Sequence, residues 1–169
     1  METTNDKMKS AQDSYLTFKL GEEEFAVHVN NVLNILELTE ITDVPKTPEY
    51  MKGVINLRGT VLPVIDIRLK LGMEPIEYTN NTCIVVMEIP INEEKTFVGS
   101  LVDKVEAVYE IDKKDIKEVP EINNSIDNEL LNGMVETNKR FIMILDIEKA
   151  FTNKDFREFS NVINKEQPI

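Results

Sequence analysis

The chain of 169 residues has one cysteine, one histidine, no tryptophan and six glycines, none adjacent to another. A lone cysteine, Cys83, allows no disulfide framework within one chain, which favours a reducing compartment. A lone histidine, His28, leaves metal binding or general-base chemistry without visible partners. Scattered glycines provide no loop that could cradle a phosphate. Positive charge is scarce too, with 19 basic side chains against 31 acidic ones and a formal net charge of −12. Nucleic-acid binders usually show the opposite sign, because neutralising phosphates supplies most of their affinity. The same charge disfavours anionic lipid. No apolar run approaches the roughly 20 residues of a membrane helix. The opening METTNDKMKSAQDS has no apolar segment of the kind that marks a secretory leader. A cytoplasmic protein with neither nucleic acid nor membrane insertion is expected, and the Asn-x-Ser/Thr matches at Asn80 and Asn123 then carry no glycan.

What the chain does have is apolar alternation, within a 41% hydrophobic composition sufficient for a core. After a polar tail over residues 1–13, expected to be disordered, Tyr15–Leu20 alternates Leu16, Phe18 and Leu20 with polar positions. Phe25, Val27 and Val29 alternate with Glu24, Ala26 and His28 beyond a Gly21-Glu22-Glu23 turn. This is the period of half-buried strands in a hairpin. Asn30 or Asn31 is read as the cap of a short helix with Val29, Val32, Leu33 and Leu36 on one face and an apolar side at Val32 and Ile35. Met51–Leu57 and Thr60–Ile67 read as strands joined at Arg58-Gly59, with Pro63 assigning the second to an edge or a bulge. Asp66 caps one helical turn that Gly72 stops. Thr152–Ile163 reads as an amphipathic helix with Thr152 and Asp155 as a capping box, followed by a tail to residue 169.

The second half repeats the first. Phe97–Val102 resembles Phe25–Val29 at an offset of 72 positions, and Leu131–Val135 and Phe141–Ile147 resemble Met51–Ile55 and Val61–Ile67 at an offset of 80. The expected fold is mainly β: two small five-stranded barrels over residues 14–151, one per half, meeting near residues 78–82, with short helices and a C-terminal helix. Closed barrels protect sheet edges that would otherwise pair with other chains.

No constellation of catalytic groups emerges. His28 is expected on the exposed strand face and Cys83 as a small buried hydrophobe. Glu22–Glu24 and Glu93-Glu94 fall at turns as solvated charge, and Asp112–Glu118 mixes signs as an exposed face. The positions that break a local rule are more informative. Gly53 opens a strand, where glycine destabilises unless the backbone requires it, and Gly133 matches it. Arg58 places five guanidinium donors on a tight turn. The matching segment Glu136–Arg140 reads as a different turn.

The order YLTFKLGEEEFAVHV, NNVLNI, ITDVPKTPEYMKGVINLRGTVLPVIDIR, then FVGSLVDKVEAV and LLNGMVETNKRFIMILDIEKAF, resembles the CheW-like domain over roughly residues 15–151, most specifically in MKGVINLRGTVLPVIDIR. The resemblance implies two SH3-like five-stranded barrels and a non-enzymatic adaptor that needs no cofactor or metal. Its implied partners are the regulatory domain of the histidine kinase CheA and the cytoplasmic hairpin tip of chemoreceptors. It carries partner-binding roles onto Val32, Asn34, Gly53 and Arg58. Where the family has an acidic residue this chain has Asn34, so no salt bridge is carried over there, and Ala26-Val27-His28 replaces Gly-Val-Asp. A scaffold of a pilus or gliding pathway is the alternative, and a small barrel enzyme the remote one.

Overall fold

A computed structural model describes residues 14–91, 94–120 and 128–166. The tail expected over residues 1–13 and the end of the chain, 167–169, lie outside the described residues. Along the chain come β1 (Ser14–Leu20), β2 (Glu23–His28), β3 (Val32–Glu37), β4 (Met51–Leu57), β5 (Thr60–Asp66), α1 (Ile67–Lys70), β6 (Cys83–Ile91), β7 (Glu94–Val102), β8 (Lys104–Glu110), β9 (Leu131–Thr137), β10 (Arg140–Leu145), α2 (Ile147–Ala150) and α3 (Asn153–Glu166).

Among the described residues ten strands make two five-stranded sheets, ordered β8-β1-β2-β10-β9 and β3-β6-β7-β5-β4. Each sheet is centred on one half's first hairpin and flanked by strands of the other half. The expectation of one barrel per half, parting near residues 78–82, is therefore corrected: the repeat is real, but its halves interlock. In each sheet the halves meet twice, at a parallel contact, β2 on β10 or β5 on β7, and at an antiparallel one, β1 on β8 or β3 on β6.

Three apolar clusters follow from this layout. Tyr15, Ala26, Ile111, Val135, Ile142 and Ile144 fill the first sheet's concave side. Ile55, Leu62, Val64, Ile84, Val86 and Leu101 fill that of the second. A larger cluster between the sheets takes Leu16, Phe18, Leu20, Phe25 and Val27 from one and Ile65, Val85, Met87, Ile89 and Val98 from the other. Successive strand residues point to opposite faces, so β1, β2, β5, β6, β7 and β10 are covered on both sides. The half-buried strands expected for β1 and β2 are therefore buried on both, with Ala26 in the first sheet's own cluster. Glu24, expected as solvated turn charge, lies buried on that same face and pairs with Arg140 at 3.4 Å.

The repeat also needs a one-residue correction in its first hairpin. Ala26 stands opposite Ile144 as Gly99 stands opposite Val64, so Phe25 corresponds to Val98 and not to Phe97. Phe25 and Val98 are fully buried, whereas Phe97 is 36% exposed. A slip of one position turns a side chain to the other face, and the shared phenylalanine concealed it. Pro63 is corrected as well. β5 lies inside its sheet, and Pro63 falls just before Val64, where pairing to β7 begins. The bulge is on β4 instead, between Met51 and Gly53.

Capping follows the sequence. Asp66 Oδ1 accepts from Arg68 N at 3.1 Å, and Asp146 Oδ1 from Lys149 N at 3.1 Å. At α3, Asp155 Oδ2 accepts from Thr152 N at 2.7 Å and Thr152 Oγ1 from Asp155 N at 3.2 Å, the expected capping box. Phe159 and Val162 bury α3 against the shared core. Asp155 also accepts from the Tyr50 hydroxyl and pairs with Lys70 at 2.6 Å. Burial raises the Asp155 pKa, but bonds from Lys70, Tyr50 and Thr152 outweigh it and leave it below the ordinary carboxylate value. Tyr50 moves upward, through burial and then through its bond to that carboxylate.

Candidate functional site

The four positions singled out in the sequence all lie on the second sheet, two on each outer strand. Val32 and Asn34 belong to β3, Gly53 and Arg58 to β4 and its turn. The start of β3 is level with Met87 and, through it, with Val98. The Arg58 turn projects beyond that level at the same end of the sheet, because β5 runs parallel to β7 and leads away from it.

The helix expected around Val29–Leu36 is replaced by a 3-10 turn, Val29–Asn31, running straight into β3. His28 caps the turn, its Nδ1 accepting from Asn30 N at 3.1 Å, and its ring meets Tyr15 edge-on at 5.1 Å. It is half-buried, not on an exposed face as expected. Asn31 Nδ2 donates to Glu88 O at 3.2 Å and fastens the turn to β6. Neither Asn forms the expected cap. The run Val32-Leu33-Asn34-Ile35 fits both a helix and a strand, and pairing to β6 decides for the strand, whose β-branched members suit it.

On β3, Val32, Asn34 and Leu36 are half-buried while Leu33 and Ile35 point outward, 57% and 43% exposed. The Asn34 side chain turns back on the chain, its Oδ1 accepting from Ile35 N at 2.8 Å. Ile35 was expected on an apolar side together with Val32, whereas Leu33 was missed as a candidate binding residue because the helix reading placed it on the face with Val29 and Leu36. The signal available was a strand-compatible run without an outward polar residue.

Gly53 is a position of closure. Beyond β3, Thr42 pairs with Val54 through two backbone bonds of 2.9 Å. This joins the chain after one outer strand to the other outer strand, and the sheet curls. Gly53 has φ 142°, and a Cβ there would lie 2.1 Å from Thr42 O. The first sheet repeats the device: Lys117 pairs with Met134 through bonds of 2.8 Å, beside Gly133 at φ 154°.

Arg58 and Gly59 form a two-residue turn between paired Leu57 and Thr60, with φ of 52° and 82°. Positive φ at both central positions matches the twist of a hairpin. Asn56 Oδ1 accepts from Gly59 N at 2.8 Å and braces the turn. Asn138 and Lys139 follow the same path with φ of 49° and 63°. The turn expected to differ has the same backbone and differs in what it displays. Arg58 is exposed, in a conformation few non-glycine residues adopt.

Elsewhere the chemistry is sparse. Cys83 is half-buried, not fully buried as expected, and its Sγ donates to Asn81 O at 3.3 Å. Burial raises the pKa of Asp66, and burial followed by the charge of Asp66 raises that of Tyr78. Among the described residues no three His, Cys, Asp or Glu side chains converge as a metal site, and no helix is long and apolar enough to cross a membrane.

A family model described as the CheW-like domain matches residues 14–155. The chain belongs to the CheW-like family. Among relatives of this family, the "Probable chemotaxis protein CheW" of Rhizobium etli is 34% identical over 140 residues, covering 83% of this chain and 88% of the relative. The "Chemotaxis protein CheW" of Klebsiella aerogenes is 32% identical over 148 residues, covering 88% and 87%. The crystal structure of scaffolding protein TtCheW from Thermoanaerobacter tengcongensis matches with a TM-score of 0.74 and 28% identity, over 85% of this chain and 90% of that one. The double five-stranded architecture is thus that of a CheW scaffold. The family match spans both interlocked halves and ends at Asp155, within the first turn of α3.

Proposed function

We propose that this protein is a cytoplasmic, non-enzymatic adaptor of chemotaxis that couples the histidine kinase CheA to the cytoplasmic tips of chemoreceptors. The observation that carries this reading is the likeness, over nearly the whole double-sheet fold, to proteins named for chemotaxis and scaffolding. The adaptor acts by binding alone. It holds kinase and receptor together, and receptor state biases the assembly by population shift.

The kinase partner is the CheA regulatory domain, which packs against the adaptor barrel to barrel. The receptor partner is a helical hairpin tip, which lays apolar side chains along β3, where Val32 lies at the core margin and Leu33 and Ile35 face outward. Asn34 between them sets preference without charge. Arg58 directs donors outward from a braced turn, suited to carboxylate or carbonyl oxygens. Gly53 supports this site through the backbone that leads to the turn. Titration of the intact protein with a CheA regulatory domain and with a receptor hairpin fragment tests the reading. Micromolar association with both is expected; no association with either at high protein concentration overturns it.

A further inference from the structure

We propose that this chain can complete its fold with the complementary half of a second copy of itself, exchanging halves about the segment 73–82. The proposal rests on strand pairing and is independent of the adaptor reading.

Among the described residues of the first half, β1 pairs with β2 and β4 with β5, and no sheet is larger than a hairpin. β3 has its sheet partner, β6, in the other half. Within the second half, β6 pairs with β7 and β9 with β10, while β8 has its partner β1 in the first. Every contact that enlarges a hairpin into a five-stranded sheet runs between halves: β1 to β8, β2 to β10, β3 to β6 and β5 to β7. An isolated hairpin is marginal in water. The buried Arg68–Asp103 pair, whose carboxylate also accepts from Gly21 N, crosses between halves as well. Each half is thus the template the other needs, and the strand edges cannot distinguish a half in the same chain from one in another.

The connection between the halves contributes little to either sheet. Residues 74–81 are all exposed and form no strand, and the bonds from Met73 N to Arg68 O and from Thr82 N to Thr79 O are local. β5 and β6 flank β7, so the strand ends that α1 and the linker together connect lie about 10 Å apart, two strand spacings. A short flexible connection gives an effective concentration in the millimolar range, so the closed monomer dominates in dilute solution. Exchange takes over when that closure is blocked or when local protein concentration is comparable.

The test replaces residues 74–81 of the full chain with six EAAAK repeats. This semi-rigid segment, roughly 45 Å long where helical, is longer than the folded domain, about 40 Å across, and holds its ends farther apart than two strand spacings. Light scattering should report a dimer, with the parent's β-type circular dichroism plus the helical contribution of the inserted repeats, and one cooperative unfolding transition. A folded monomer would show that each half folds alone, and an unfolded chain would show that exchange cannot complete the fold; either overturns the proposal. A second measurement cleaves a protease site placed at residues 76–77 in the folded full-length protein. The two pieces should elute together, separate in urea and reassociate on dilution. Pieces that part in native buffer, or fail to reassociate, also overturn it.

Discussion

Gly53 lies so close to Thr42 that a Cβ built on it would fall 2.1 Å from the Thr42 carbonyl oxygen, and a Cβ on Gly133 would fall 2.7 Å from that of Lys117. Both glycines sit where the chain after one outer strand returns to pair with the other, so their missing side chains allow each sheet to curl. The obstacle is backbone, which cannot rotate away.

Gly53→Ala should therefore lower stability by about 3 kcal/mol, combining an unfavourable positive φ with displacement of the closing bridge. Gly133→Ala should act alike, against Lys117 O and Ile116 Cγ2. Urea unfolding measures both. Loss of partner binding in a Gly53 variant should track loss of folded protein; wild-type stability in Gly53→Ala would refute the closure argument.

At Arg58 the expected signs are opposite. Arg58→Gly removes a non-glycine residue from φ 52° and should hold stability level or raise it by up to ~1 kcal/mol. Partner affinity should nevertheless fall roughly tenfold, the scale of one charge-assisted hydrogen bond. Asn138→Gly is the control: the same backbone, with binding unchanged. Thermal unfolding together with partner titration separates the two effects.

Asp155 gives an acid dependence of defined direction. Its pKa is lowered in the folded protein, because the bonds from Lys70, Tyr50 and Thr152 outweigh the upward effect of burial. Its contribution is fully present above the unfolded carboxyl value, about 3.9, and is lost as pH falls through the lower folded value. Asp66 has a raised pKa and opposes this trend, so the comparison must be with a variant. The stability gap between the parent and Asp155→Asn should be constant near neutrality and close below about pH 4. A gap that widens in acid would contradict the assignment.

The Arg68–Asp103 pair should respond asymmetrically. The Arg68 side chain is 5% exposed and that of Asp103 23%. Asp103→Ala strands a buried cation and should cost about 3–5 kcal/mol. Arg68→Met fills the space with apolar atoms, leaves the carboxylate its bond from Gly21 N, and should cost less. Urea midpoints give the order, and a reversed order would mean that burial does not control the pair.

Much of this was legible in the sequence, because strand period, caps and hairpin turns are local. Tyr15–Leu20, Met51–Leu57, Asp66, Thr152 and the offset relating Gly53 to Gly133 needed no tertiary information. The β3 run did, since Val32-Leu33-Asn34-Ile35-Leu36 satisfies both periods and only β6 settles it. The interlocking of the halves left no local trace, because a strand's pattern records that a face is buried and not which strand lies beside it. The mismatch of Phe25 with Phe97 arose because residue identity was compared where facing should have been. At the candidate site, Arg58 stood out as a rule-breaking residue on a turn and Ile35 as part of an apolar side, whereas the pairing of Leu33 with Ile35 on one outward face became visible only once β3 was known to be a strand.

The interlocked strand order also imposes a schedule on synthesis. β2, complete at His28, has β10 as its neighbour, which is not finished until Leu145. At roughly 5–20 residues per second, the first hairpin waits on the order of 6–23 s for that partner. For much of this time Leu16, Phe18, Phe25 and Val27, bound for the shared core, also lack their cover, because the second sheet that packs on them is complete only with β7 at Val102. The nascent chain is therefore at its most adhesive well before it leaves the ribosome, and slower elongation of the second half would lengthen that exposure.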